Sequence, residues 1–333
     1  MLQCLALYDQ DRDPFPPTIP AVYVFANLPQ LCEVILSGYS VVDVVLPWAQ
    51  LESFMGSKLT TADCLDVLEK CPRLRHCTFE NVDEYGEDVV ELTHPSLETF
   101  ELYIDDIGEL RDLLSKLKFP TLHSFLLQLN FSAPLAPLLL PFFRHSATGI
   151  QKLYLAGVLD YGHALVACFR ALPGLRELVM QGSYAEGFLN NQFLDIMTPK
   201  SRKSLDEDAD ACLLPNLEVF QYEGLTFFSG RPLVDFLSKR WYGPGGALDN
   251  GRSPVARLRS ATFKIMEDDL VFTEADNVLL AAMRQEGMHF AINDAMSRHN
   301  PLWPPNPRRH KPIIYSKESQ RAHAEMMKPM YEY

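Results

Sequence analysis

Three groupings in this chain have residue types and spacings that could carry chemistry. Cys71, His76 and Cys77 supply thiol and imidazole donors of the kind zinc prefers. Structural zinc sites are built from two ligand pairs, and no second pair follows at that spacing, so no metal is expected. Cys77 instead falls at an apolar strand position and Cys71 at a helix end, where cysteine behaves as a small hydrophobe. His163 and Cys168 could form a base and nucleophile, but both lie on one short helical pattern, with no orienting acid and no oxyanion donors nominated. GPGG at 243–246 lacks the Lys-Ser/Thr of a phosphate-binding loop and reads as a turn. Ser201 and Ser204 stand beside Lys200, Arg202 and Lys203, where a phosphoryl group would change the local charge, but a plain solvated insertion is the favoured reading. Asn130-Phe131-Ser132 matches a glycosylation sequon that matters only on a secretory route. No catalytic, metal or cofactor set assembles, and the expectation is a chain that is not an enzyme.

Composition narrows the partner. With 30 Lys plus Arg against 43 Asp plus Glu, the formal charge of −13 repels a phosphate backbone and excludes general nucleic-acid binding. The 7 cysteines are odd in number and scattered, unlike a secreted disulfide framework. MLQCLALYDQDRDPFPP has no basic leader region, and no apolar run approaches the roughly 18 residues of a membrane span. A soluble cytoplasmic or nuclear monomer is expected, with a protein as its partner.

Any functional residue must be positioned by what repeats. LPGLRELVMQG at 172–182 recurs as a Leu-x-x-apolar-x-apolar step, beginning at Leu31, Leu51, Leu74, Leu97, Leu122, Ile150, Leu175, Leu217 and Leu258. The early starts are separated by 20 to 28 residues, in the range of leucine-rich repeats. Gly56 and Ala261 make two copies degenerate, standing where a larger apolar residue belongs. Helical patterns fall between the steps. Thr60 to Asp63 resembles a capping box, Asp105-Asp106 opens IGELRDLLSKLKF, Asp160 opens YGHALVACFRAL, and Thr273 to Asp276 opens NVLLAAMRQEG. Alternating strand and helix predict an α/β leucine-rich-repeat-like solenoid, with a curved parallel sheet on the concave side and helices on the convex side. Its predicted bounds are 28–296, after a lead-in at 1–27 and before a Pro-rich basic tail at 297–333 that is expected to be disordered. Two insertions, 190–212 and 243–254, read as surface loops.

In each step the two later apolar residues point into the core, so their neighbours face the concave side. The central row then runs Ile35, Met55, Thr78, Glu101, Leu126, Tyr154, Val179, Gln221 and Thr262, and the next includes Glu80, Tyr103, Gln128, Gln181, Glu223 and Lys264. From these rows the candidate partner-binding residues are Glu80, Glu101, Tyr103, Leu126, Gln128, Tyr154, Val179, Gln181, Gln221 and Glu223. Aromatic and aliphatic anchors within a polar rim suit protein recognition.

VLPWAQLESFMGSKLTTADCLDVLEKCPRLRHCTFENV at 45–82 resembles the repeat region of the F-box proteins of mushroom-forming fungi, with its Leu-Pro-Trp segment, Thr-rich helix start and Cys-Pro-x-Leu step in that order. VFANLPQLCEVILSG, HPSLETFEL, FPTLHSFLL and LPNLEVFQYEG are similar to the same family, and the likeness covers roughly 24–292. The resemblance implies repeats that select a substrate for a cullin-type ubiquitin ligase. In that family an N-terminal F-box helix cluster binds the ligase adaptor. The residues ahead of Leu28, DRDPFPPTIP among them, are too Pro-rich to supply those helices, so an adaptor is expected only if an F-box lies upstream. The competing expectations are a free-standing scaffold or inhibitor and, more distantly, a hydrolase with its site in the insertions.

Overall fold

The computed structural model describes residues 2–8, 27–83, 91–146, 149–158, 163–182, 189–200, 212–225, 227–243, 255–265 and 270–294. In chain order the elements are β1 (Cys4–Tyr8), β2 (Glu33–Ser37), β3 (Ser53–Ser57), α1 (Thr61–Lys70), β4 (His76–Glu80), β5 (Leu92–Thr93), β6 (Thr99–Ile104), α2 (Ile107–Lys116), β7 (Leu117–Lys118), β8 (Ser124–Ala133), α3 (Ala136–Ser146), β9 (Lys152–Val158), α4 (His163–Arg170), β10 (Glu177–Gln181), α5 (Asn191–Met197), β11 (Val219–Gly224), α6 (Gly230–Tyr242), β12 (Ser260–Ile265), α7 (Glu274–Gln285) and β13 (His289–Asp294). Eleven strands form one parallel sheet in chain order, with β5 and β7 set apart as a separate two-stranded ladder. This is an α/β fold. Parallel neighbours need a crossover, and from β3 onward helices supply most of them. Between β2 and β3 two 3-10 turns, Val41–Asp43 and Trp48–Gln50, take that place.

The apolar step becomes one face of the sheet. All nine opening residues, Leu31 through Leu258, are at most 1% exposed. The two later positions of each step form rows across the strands, such as Val34, Phe54, Cys77, Phe100, Phe125, Leu153, Leu178, Phe220 and Ala261 in mutual register. Helices close this face. Phe125 meets Phe142 and Phe143 of α3 at ring-centroid distances of 5.1 and 6.1 Å, and Phe220 meets Phe236 of α6 at 6.0 Å. Edge-to-face contacts link Phe54, Phe79 and Phe100 along the sheet, an arrangement the ring quadrupole favours.

Backbone bonds repeat as faithfully as the leucines. Just before each strand one carbonyl accepts two successive N–H groups from the next step: Cys32 O from Glu52 and Ser53, Glu52 O from Arg75 and His76, Arg75 O from Glu98 and Thr99. The same pair recurs at Glu98, His123, Gln151, Arg176 and Glu218. A side-chain bond reinforces it at three steps. Ser96 and Thr121 donate through their hydroxyls to the Pro72 and Pro95 carbonyls, and Asn216 donates through Nδ2 to Pro173. Each turn is thereby fixed to the one before it, and its buried carbonyls are satisfied.

The capping box read at Thr60 forms, and the helix opening read at Thr273 is a second one. Thr60 accepts from Asp63 N while Asp63 accepts from Thr60 N, and Thr273 and Asp276 do the same for α7. Asp63 also accepts from Ser40 Oγ at 2.7 Å and Val41 N at 2.9 Å, stitching the first 3-10 turn to α1.

Several expectations are corrected. The sheet starts earlier than 28, because Leu5 and Leu7 of β1 pair in register with Val34 and Leu36. It also ends later than the last recognised step, with β13 beside β12. The 190–212 segment is not all surface loop: Asn190 caps α5 through Phe193 N, and Phe193, Leu194 and Met197 are buried. Residues 201–211, with Ser201 and Ser204, lie outside the described residues, as do 244–254 and the tail from 295. Gly243 is the C-cap of α6 at φ 83°, the left-handed region glycine tolerates, which explains that part of GPGG as a helix stop.

Candidate partner-binding surface

Strand alternation sends the remaining side chains to the second face of the sheet, away from the helices. Register places the anticipated central row as read. Ile35, Met55, Thr78, Glu101, Leu126, Tyr154, Val179, Gln221 and Thr262 are successive partners, extended by Ala6 at one end and Ala291 at the other. The next row runs Glu80, Tyr103, Gln128, Ala156, Gln181, Glu223 and Lys264. One row thus crosses all eleven strands of the sheet.

Placement and availability differ. Val179 is 0% exposed, Leu126 4% and Tyr154 7%, so these three candidates offer almost no surface. The cause is local for Val179: Tyr154 sits beside it on β9, and its hydroxyl reaches across to Gln181 Oε1 at 2.6 Å. Tyr154 therefore acts as a tie between strands rather than a projecting anchor, and Gln181 is held by it. Leu126 and Ile35 are likewise buried within the row. Glu80, Glu101, Tyr103, Gln128, Gln221 and Glu223 remain part-exposed. Thr78 and Tyr103 direct their hydroxyls at Glu101 Oε2 across 3.5 and 3.4 Å, long contacts that orient the carboxylate more than they stabilise it. Lys264 and Glu223 pair at 3.7 Å at the other end of the row.

A third feature was missed in the sequence. At two places in the sheet the residues preceding successive strands pair with opposite charge: Arg75 bonds Glu98 through both Nε and Nη2 at 2.9 Å, and Glu218 lies between Arg176 at 3.8 Å and Arg259 at 3.4 Å. Alternation of sign at the second position of the steps was its visible signal. Exposed pairs of this kind are each worth about 0 to 1 kcal/mol, so they pin register more than they supply stability.

The chemistry considered for the cysteines does not assemble. His76 and Cys77 are consecutive in β4 and point to opposite faces. Cys77 and Cys71 are buried, and burial pushes their thiols up, Cys71 to about 12. Such thiols are neither nucleophiles nor ready ligands at neutral pH. Cys168 is buried against the Ala136 carbonyl; His163 opens α4, and its side chain is not among those described. Among the described residues, no group of three or more His, Cys, Asp or Glu is placed to hold a metal ion, and no helix is long and apolar enough to cross a membrane.

Fold and surface together define an α/β protein with a chain-ordered parallel sheet, one face closed by helices and the other carrying in-register rows of mixed apolar and polar residues. No protein-family model and no curated protein matches this sequence.

Proposed function

We propose that the chain is a non-enzymatic protein-interaction module, a leucine-rich-repeat-like solenoid whose concave side is the second face of the sheet. Such a module would act in the manner of the substrate-recognition repeats of F-box ubiquitin-ligase receptors, which the repeat sequence resembles. The observation that carries this reading is the in-register row through Thr78, Glu101, Leu126, Tyr154, Val179, Gln221 and Thr262. Rigid strands there hold neighbouring side chains at fixed spacing, which favours recognition of an extended surface over catalysis at one point. Burial of Val179 and Tyr154 moves the contact region toward Glu80, Glu101, Tyr103 and Gln128. The acidity of that region and the net charge of −13 favour a partner with a basic or neutral surface.

A photo-crosslinking residue at position 103 tests the reading, with one at Val278, 65% exposed on α7, as the control on the helix side. The expected result is a protein adduct from position 103 alone, with capture cut at least tenfold by Tyr103→Ala with Gln128→Ala at unchanged melting temperature. Equal adducts from both positions, or capture indifferent to the double substitution, would overturn it. Binding of a ligase adaptor by the full gene product separates the receptor from a free-standing scaffold.

A further inference from the structure

β1 ends the eleven-stranded sheet on one side and β13 ends it on the other. The two edges are finished differently. At β13 the exposed Arg284 side chain lies over the strand, its guanidinium 3.9 Å from the centroid of the Phe290 ring and its Nη2 donating to the Phe290 carbonyl at 3.4 Å. A cation laid against an edge is one of the ordinary means by which a sheet discourages further pairing. β1 has only β2 beside it among the described strands, and its pairing with β2 runs without a bulge. From Leu2 to Tyr8 the chain holds no charged residue and no proline. Leu2 and Tyr8 are 45% and 51% exposed, two of the six large apolar side chains that stand out among the described residues. On a chain of net charge −13, an uncharged apolar edge is where a second acidic molecule meets least repulsion.

The outward backbone groups of β1 follow from the inward ones. Gln3 O accepts from Cys32 N and Glu33 N, and alternate residues of a strand turn their N–H and C=O to the same side, so Gln3, Leu5 and Leu7 serve β2. Cys4, Ala6 and Tyr8 then turn theirs outward. We infer that this edge pairs two copies of the chain, β1 against β1, in an antiparallel ladder about a two-fold axis at Ala6. Ala6 meets its own equivalent and Cys4 meets Tyr8 of the second copy, so every outward group of the strand gains a partner. The axis stands perpendicular to the sheet and keeps both helix layers on one side, which brings Leu5 of one copy beside Leu7 of the other. Leu5 is 9% exposed and Leu7 half-buried, so the join extends the apolar row. A two-fold contact closes as a dimer, whereas β1 against β13 would run on as an open filament and would have to displace Arg284 from Phe290. One strand pair is small beside the interfaces of permanent complexes, so the dimer forms as an equilibrium set by concentration. The face around Tyr103 stays open in it, and the inference does not rest on the partner-binding reading.

Sedimentation equilibrium of the full chain from about 1 µM to 1 mM tests it. The expected result is a monomer–dimer equilibrium that tightens as salt screens the like charge of the two copies. Ala6→Pro removes a donor that only the second copy uses, and an edge strand tolerates proline where its N–H faces outward. It should weaken the dimer at least tenfold at unchanged melting temperature. Ala6→Cys in a Cys4→Ser chain should give a covalent dimer under mild oxidation, joined position 6 to position 6 by peptide mapping, because opposed residues of such a pair have Cα atoms about 5.5 Å apart, within disulfide reach. If Ala6→Pro lowers the melting temperature, this covalent arm decides. A monomer at every concentration, a dimer indifferent to Ala6→Pro in a fully stable chain, or no position 6 cross-link would overturn the inference. Masses that climb past two chains, strengthened by Arg284→Gln, would show β13 joining β1 and would overturn the two-fold pairing as well.

Discussion

Gly56 lies on the core face of β3, between Leu36 and Phe79 in register. In the sequence it looks like a failed copy of the repeat. In the fold it is required, because a Cβ there would stand 2.3 Å from Leu59 Cδ1 and 2.8 Å from Phe54 Cε1. The missing side chain makes room for Leu59, a fully buried residue that the step pattern does not include. Gly56→Ala should therefore destabilise by about 1 to 3 kcal/mol through overpacking, although alanine is the better strand residue; urea unfolding with no loss would refute it. Arg240 is the opposite kind of residue, a cation 2% exposed that has no carboxylate partner among the described residues. It donates to the carbonyls of Met197, Leu214 and Leu213 at 2.8, 2.9 and 2.6 Å, fastening α6 to the chain that follows α5. Arg240→Ala should cost about 3 kcal/mol or more, since it leaves buried carbonyls without donors, and the same unfolding measurement reads it. Neither role was legible in the sequence, because each depends on atoms brought from a distant step.

At the scale of elements, what was local was legible. The capping boxes of α1 and α7 use four consecutive residues; the first was legible as a box and the second as a helix start with acid in its first turn. α3 is apolar on most of its surface and holds Pro141, while Ser229 before α6 makes no side-chain cap bond, so neither advertises its start. α5 was hidden by the charged block beside it, which drew 190–212 together as one loop. The cap of α7 carries a pH dependence. The Asp276 carboxylate accepts from Thr273 Oγ1 at 2.7 Å and Thr273 N at 3.1 Å, and from Arg231 at 2.9 Å, and these bonds, Thr273's first, hold its pKa below the ordinary value. A carboxyl lowered by folding contributes stability above its unfolded value of about 3.9 and loses it as pH falls through the lowered one. Melting temperatures of wild type and Asp276→Asn should differ at neutral pH and converge as acid protonates Asp276. A gap that stayed constant down through that range would show that the charge is not what matters.

The whole molecule was legible in outline because its sheet follows chain order. Each step of the repeat pairs with the step before it, so a one-dimensional pattern in sequence becomes a one-dimensional order in space. What could not be read was where it begins and ends. Leu2, Leu5 and Leu7 have the spacing of a step but stand apart from the others across 9–26, and β13 has Gly287 where its opening leucine would be. Chain order also bears on cooperativity. Strands pair only with neighbours in the sequence of steps, and helices pack against the next helix along, as α2 on α3, α3 on α4 and α5 on α6. Yet the buried apolar residues form one cluster from Leu5 to Met288. Nearest-neighbour coupling predicts that damage stays near its origin, whereas a fully shared core predicts that it spreads. Leu36→Ala, at a fully buried position in β2, should cost about 2 to 5 kcal/mol at its own site. Under native conditions amide exchange should then accelerate in β1 through β4 and change little in β10 through β12. Equal acceleration in both regions would mean that the sheet unfolds as a single unit despite its sequential construction.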